Sequence, residues 1–568
     1  MINVNDNNQN RLKKIPTGFD DFGDVIKQRY FYVDKTLFIR ELIDNRSFFN
    51  LFTRPRRFGK SLNISMFQYF FDNLYIHESH VFDGLAISRE DNYYKSYQNQ
   101  FPVIKMTLKG AEGLTFDAAF KRLKSIISNE FIRHNYLLNS NKLSELSIKT
   151  FKAIESEEAS LETFEGSLKF LSDLLYQHYN QKVIILIDEY DVPIQKAHKN
   201  DYYTPMISFV RNFFGDALKT NPSLFFSVVT GCLRVSKDSI FTGINNLNVL
   251  SITSNAYSEY FGFTEDEVKN LLEYYELGDH LSQIRDWYNG YLFGNSVVYN
   301  PWSAIKYVYD LRHGHTFPQS YWANTSSNDI VKTLIDIADL KTKEEIEILV
   351  AGGTLLKPIK EDIVYAEITD SMDNLWNFLF FTGYLKKVNA LMIDTEIHYE
   401  LKIPNKEICY IFNRHIKEWF KAKAKVKNIQ CLYQSIVTHD VATMEYEISK
   451  YLLEVISYMD NAENFYHGFL SGILRSMDDH QVKSNRESGD GRSDIFILPN
   501  FYKKQAYVIE IKVARKASEL ELKCEEALAQ IDEKRYVEEL ALEGYLNVVK
   551  YGMAFYKKTC MVKMASLE

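Results

Sequence analysis

Cysteine is scarce and never closely paired. Cys232, Cys409, Cys431, Cys524 and Cys560 stand alone, so no C-x-x-C zinc site and no disulfide framework are indicated. Their reading is as small buried hydrophobes. Proline is rare as well, 11 in 568 residues, and with 46% hydrophobic and 25% charged residues the chain is neither disordered nor fibrous. Long apolar runs are missing: the longest are strand-sized, such as 183–187, and the N-terminus MINVNDNNQN lacks the apolar stretch of a signal peptide. A soluble, cytoplasmic protein with no membrane partner is expected. Positive charge is not in excess either, 67 Lys and Arg against 75 Asp and Glu, so no global basic field draws the chain onto nucleic acid. Any such contact must come from local patches.

What is present is enough chain for two or three cores. The Asn-rich residues 1–15 read as a mobile N-terminus. Over 16–260, apolar runs at 48–52, 103–108, 183–187, 224–229 and 249–252 alternate with longer helical patterns, predicting a mostly parallel sheet with helices on both faces. Residues 261–454 read as mainly helical with some strand, and the aromatic stretches WYNGY (287–291) and YNPW (299–302) as packing and turn elements. Residues 455–568 read as helix, three strands, a long helix over about 518–541 and a terminal strand near 548–556. The fold class is α/β, multidomain.

After the first strand the chain reads Arg54-Pro55-Arg56-Arg57-Phe58-Gly59-Lys60-Ser61 and then enters a helical pattern. This is a P-loop setting: amides at a helix N-terminus surround phosphate oxygens, Lys60 adds charge near the β and γ phosphates, and Ser61 offers a hydroxyl to Mg2+. Arg57 and Gly59 belong to the same loop. Arg54 stands where the pattern GxxxxGK[ST] has its first glycine, so the loop must turn differently. The apolar strand 183–187 delivers Asp188 and Glu189 at its C-terminal end, where ligands of parallel sheets bind. Asp188 is the candidate Mg2+ holder and Glu189 the candidate polariser of the attacking water. Thr230, ending the next strand, is placed to sense the γ phosphate, and Arg56, Arg57, Arg211 and Arg234 are alternative sources of transition-state charge. ATP and Mg2+ are the expected ligands.

The motifs TRPRRFGKS, LIDEYD and TGCLRVSKDSIFTGINNL resemble those of the AAA-ATPase-like family of bacterial proteins, in which an arginine at the first P-loop glycine is also found. The resemblance extends through YFGFTEDEV, WYNGYLFG, YNPWS and YWANTSSN, and implies a lid or connecting region in the middle of the chain.

Near the C-terminus, a turn centred between 499 and 504 sets Asp494 opposite residue 509 or 510 of the following strand, Ala506-Tyr-Val-Ile-Glu510-Ile-Lys512. Carboxylates on facing residues about 5 Å apart can share a divalent cation. Period two puts Glu510 and Lys512 on one face and Ile509, Ile511 and Val513 on the other. Lys512 is then placed to orient or activate a metal-bound water. This D…ExK pattern is similar to the PD-(D/E)XK nuclease superfamily, with its restriction-endonuclease-like fold. The resemblance implies Mg2+-dependent phosphodiester hydrolysis in DNA or RNA, metal held by Asp494 and Glu510, and a contribution from Gln530 on the following helix. It also nominates Glu463 on the preceding helix, with Glu487 as competitor. Lys483, Arg486, Arg492, Arg515 and Lys516 are candidate phosphate contacts. The expected protein is an ATP-binding and hydrolysing chain fused to a nuclease-like domain, with oligomerisation left open. The alternative is a nucleotide-regulated switch or scaffold whose C-terminal domain binds nucleic acid or protein without cutting it.

Overall fold

The computed structural model describes residues 12–234, 247–322, 340–361, 372–414, 430–455, 463–474, 477, 480–488, 491–499, 505–545 and 547–566, and divides into two compact units. One unit spans Met1–Leu334 and Gly352–Phe412; the other Ile335–Ala351 and Asn413–Glu568. Residues 1–11, 235–246, 323–339 and 500–504, on which parts of the quoted motifs and the expected C-terminal turn fall, lie outside the described residues.

The first unit is built on five parallel strands, β1 (Phe49–Thr53), β2 (Val103–Thr107), β3 (Val183–Asp188), β4 (Leu224–Gly231) and β5 (Leu247–Leu250), in the order β2-β3-β4-β1-β5. All five fall on the apolar runs of the sequence. β1 and β3 are buried along their whole length, as strands covered on both faces must be. Parallel pairing brings the C-terminal ends of β1, β3 and β4 to one rim, with Phe52 level with Thr230. At the edge, β2 is closed by side chains: Glu130 accepts from the Lys105 amide at 2.9 Å, and Arg133 donates to the Val103 carbonyl.

Further along the same unit, Val268, Leu271, Ile284, Tyr288, Tyr299 and Val308 form a second core among the helices Glu265–Tyr274, Leu281–Tyr288 and Pro301–Arg312. A hairpin of β6 (Tyr291–Phe293) and β7 (Ser296–Val298) follows, then a three-stranded antiparallel sheet of β8 (Leu355–Pro358), β9 (Lys386–Ile393) and β10 (Glu396–Lys402) in the order β8-β10-β9. The middle region is mainly helical and carries this strand content as well.

The second unit carries β11 (His480–Ser488), β12 (Gly491–Pro499), β13 (Ala506–Val513), β14 (Val548–Tyr556) and β15 (Thr559–Ser566), paired in chain order. Only β13 and β14 are parallel, joined across helix Leu520–Glu533. β15 was not expected from sequence, because its hairpin turns at Lys557-Lys558 without a glycine or asparagine signal; Lys557 takes the left-handed conformation itself, φ 52°. Ile495, Ile497, Tyr507, Ile509 and Ile511 pack with Leu432, Ile436, Met444, Ile448 and Leu452, so helices Gln430–Thr438 and Val441–Val455, upstream of residue 455, share this core. The edge strand β15 is capped as β2 is: Ser449 accepts from the Cys560 amide at 2.9 Å and Glu445 from the Val562 amide at 2.8 Å. Among the described residues no helix is long and apolar enough to cross a membrane.

Candidate functional site

β1 ends at Thr53, and the loop that follows takes its left-handed residues at Arg57 (φ 70°) and Gly59 (φ 79°), not at position 54. That is why an arginine is tolerated at Arg54. Its side chain is fully buried and runs away from the loop mouth: Nη1 donates to the Thr53 and Leu250 carbonyls at 2.9 and 2.6 Å, and the guanidinium stacks between Phe261 and Phe293. Burial without an anion lowers its pKa to about 9. Arg54 therefore ties the loop base to β5, a structural task.

Gly59 opens helix Lys60–Phe71, whose first amides have no side-chain cap. Lys60 is buried; its Nζ donates to the Arg54 and Pro55 carbonyls, both at 2.9 Å, and lies 3.7 Å from Cys232 Sγ. Ser61 Oγ donates to Asp188 Oδ2 at 2.6 Å, and Thr230 Oγ1 donates to Asp188 Oδ1 at 2.5 Å. Two hydroxyls from separate segments thus meet on the carboxylate of a third. Glu189, next along, has a left-handed backbone (φ 53°), which turns the chain sharply at the end of β3. Burial, with Asp188 and Asp191 adding repulsion against the opposing pull of Lys60, holds its carboxyl above the usual range.

The arginines separate. Arg56 Nη2 donates to Gln195 Oε1 at 2.8 Å, and both line a small cleft with Cys232, Trp322, Phe378, Thr382 and Tyr384. Arg57 lies 4.5 Å over the Trp302 ring, while Phe58 packs on Tyr291 and Phe293. Arg211 is exposed on helix Tyr203–Leu218, and Arg234 is the last described residue before 235. Sequence reading missed Gln195, Cys232 and Asp191, which accepts from the Cys232 and Leu233 amides at 2.8 and 3.1 Å and so fixes the chain after Thr230. The spacing Asp188-x-x-Asp191 was a usable signal. The aromatic motifs WYNGY and YNPW do pack: Tyr291 and Trp302 against the P-loop residues Phe58 and Arg57, Tyr288 and Tyr299 in the helical core.

In the second unit, Glu510 on β13 is 2% exposed. Gln530 Nε2 donates to its Oε1, and Lys512 Nζ stands 3.9 Å from the same oxygen. The alternation is as predicted: Ile509 and Ile511 enter the opposite core. Gln530 reaches the strand because the residue level with Glu510 on β14 is Gly552, where a Cβ would sit 2.3 Å from the Cys524 carbonyl oxygen of the crossing helix. The ladder of β12 and β13 pairs Ile495, which follows Asp494, with Ile509, which precedes Glu510. The side chains of Asp494, Glu463, Glu487, Arg486 and Arg492 lie outside the described residues. Arg515 and Lys516 are exposed just past the end of β13, and Lys483 is part-exposed on β11. Among the described residues no three His, Cys, Asp or Glu side chains gather around one point. Mg2+ asks for less, one or two carboxylates with water and phosphate oxygens completing its shell.

Residues 16–241 match a family described as predicted AAA-ATPase, and residues 461–565 match the PD-(D/E)XK nuclease superfamily. The chain is 25% identical over 547 residues, 94% of each chain, to an "Uncharacterized protein in vnfD 5'region" of Azotobacter chroococcum mcd 1. No solved structure matches.

Proposed function

We propose that this chain, which carries an AAA-ATPase-like domain and a PD-(D/E)XK nuclease superfamily domain, binds and hydrolyses ATP and cleaves phosphodiester bonds in DNA or RNA. The observation that carries the first half is the convergence of Ser61 and Thr230 on Asp188 beside the uncapped helix start at Lys60. The uncapped amides and Lys60 bind the phosphates. Ser61 and Asp188 are the oxygen donors that fit Mg2+, which when bound neutralises phosphate charge. Glu189, its carboxyl held up by burial, accepts a proton from the attacking water. Arg56 is the best placed of the four arginines to face the terminal phosphate, since it shares a cleft with Cys232, the neighbour of the Lys60 ammonium.

For the second half, Glu510, Lys512 and Gln530 cluster on one face of β13, with Asp494 one register step away. Glu510 and Asp494 fit Mg2+ as carboxylate donors, and the ion when bound lowers the pKa of water and stabilises charge on the phosphate. Gln530 orients Glu510. Lys512 holds a proton-bearing cation beside the attacked position. The test is to incubate purified protein with single- and double-stranded DNA and RNA, with and without Mg2+ and ATP. Mg2+-dependent cleavage that Glu510→Ala abolishes is expected. A wild type that binds nucleic acid and cuts none of these substrates would replace cleavage with the binding-switch reading.

A further inference from the structure

The carboxylates at the end of β3 and Gln195 lie on one short stretch of chain. Asp188 closes the strand, Glu189 turns the backbone, and helix Val192–Lys199 follows at once. Asp191, at the start of that helix, accepts from the Cys232 and Leu233 amides and so ties the helix to the chain beyond β4. Pro193 sits in the first turn, and Ile194 and Ala197 are fully buried, so the helix has little freedom to roll. The Gln195 amide donates to the Asp191 carbonyl at 2.9 Å. Gln195 therefore stands one helical turn beyond Asp191 on a fixed backbone.

From that backbone Gln195 reaches the P-loop, where its Oε1 accepts from Arg56 Nη2 at 2.8 Å. The acceptor is a neutral amide, which directs a guanidinium without cancelling its charge. A carboxylate in its place would compete with phosphate for the same N–H groups. Across the cleft Trp322 stacks on Tyr384, ring centroids 4.7 Å apart and both rings buried, so the opposite wall is stiff as well. Cys232 lines the same cleft with its Sγ 3.7 Å from the Lys60 ammonium. Arg56 is thus held on the side of the loop where Lys60 meets the outermost phosphates. A long arginine side chain has many rotamers and loses its aim unless something fixes its tip. We infer that Gln195 is a positioning residue that aims Arg56 at the terminal phosphate, so that the pair separates a nucleoside triphosphate from a diphosphate. This role rests on the ATP reading of the P-loop given above.

The test uses the full chain with Mg2+, ADP and a triphosphate whose β–γ bridge is a methylene that cannot be cut. Gln195→Met keeps the length of the side chain and removes the acceptor. In calorimetry it should bind ADP within about threefold of the wild type and lose roughly tenfold of the preference for the triphosphate. With ATP it should lower kcat by roughly tenfold to a hundredfold, the effect of a catalytic charge displaced by about 1 Å. Arg56→Lys, which keeps the charge and gives up the planar fork that the amide holds, should behave alike. On an Arg56→Ala background Gln195→Met should cost no more than about twofold further, since the group it positions is gone. Losses that add in full across the two sites, or a Gln195→Met chain equal to the wild type in triphosphate preference and kcat, overturn the role of Gln195 and leave the ATP reading standing. A wild type that binds neither nucleotide overturns that reading and this role with it.

Discussion

At the residue scale, Lys60 sets a buried ammonium at the start of helix Lys60–Phe71. Lys60→Ala should weaken ATP binding roughly tenfold to a hundredfold, the worth of a charge-assisted phosphate contact, measured by calorimetry with Mg2+. Glu189→Gln should keep the affinity and slow hydrolysis by roughly 10²–10⁴-fold, the usual contribution of a positioned base. A carboxylate base works ionised, and the Glu189 carboxyl is held above the ordinary range. Hydrolysis should therefore fall with pH at a value above that of a free glutamate, and the limb should vanish from the residual rate of Glu189→Gln. A kcat profile from pH 4 to 8 reads both. Arg56→Ala should lower kcat while leaving ADP affinity within about threefold, because its proposed partner is the terminal phosphate. In the second unit, Lys512→Ala should impair the chemical step more than substrate binding, since one cation among several phosphate contacts adds little affinity.

At the element scale, two contacts set positions. Gly552 lets helix Leu520–Glu533 lie against β14. Gly552→Ala should cost about 1–3 kcal/mol by overpacking and draw Gln530 away from Glu510, lowering both melting temperature and cleavage. Glu407 ties helix Pro301–Arg312 to the segment at Trp322, accepting from Ser303 Oγ at 2.9 Å and from the Trp322 amide at 2.9 Å. Burial raises its pKa to about 7, against an ordinary 4.5. A raised pKa means that the folded state binds the proton more tightly than the unfolded chain. The stabilisation is complete below about pH 4.5 and is lost as pH rises through about 7, a swing of roughly 3 kcal/mol. Denaturant unfolding at pH 5 and pH 8 should show this loss in the wild type and a flatter response in Glu407→Gln.

At the scale of the whole molecule, the two proposed chemistries reside in separate compact units. Glu510→Ala should remove cleavage and leave ATP hydrolysis nearly intact, with both rates taken on one preparation. The second unit also sets where it can be cut free. A fragment from residue 413 keeps helices Gln430–Thr438 and Val441–Val455 on the sheet and should unfold cooperatively. A fragment from residue 455 exposes the core face of Ile495, Ile509 and Ile511 and should not; calorimetry of the two fragments decides.

The sequence by itself determined the local pieces: five apolar runs became the five parallel strands, Gly59-Lys60-Ser61 opened a helix, and period two put Glu510 and Lys512 on one face. These depend on spacing along a few residues, and spacing is legible. It did not determine that Arg54 turns inward or that Gln195 holds Arg56, because each depends on which distant segment arrives alongside. The terminal hairpin was hidden for a different reason, a turn of two lysines in which Lys557 takes a left-handed backbone that no residue preference announces. Side-chain partners more than a hundred residues apart are chosen by packing, and only the folded chain states which ones meet.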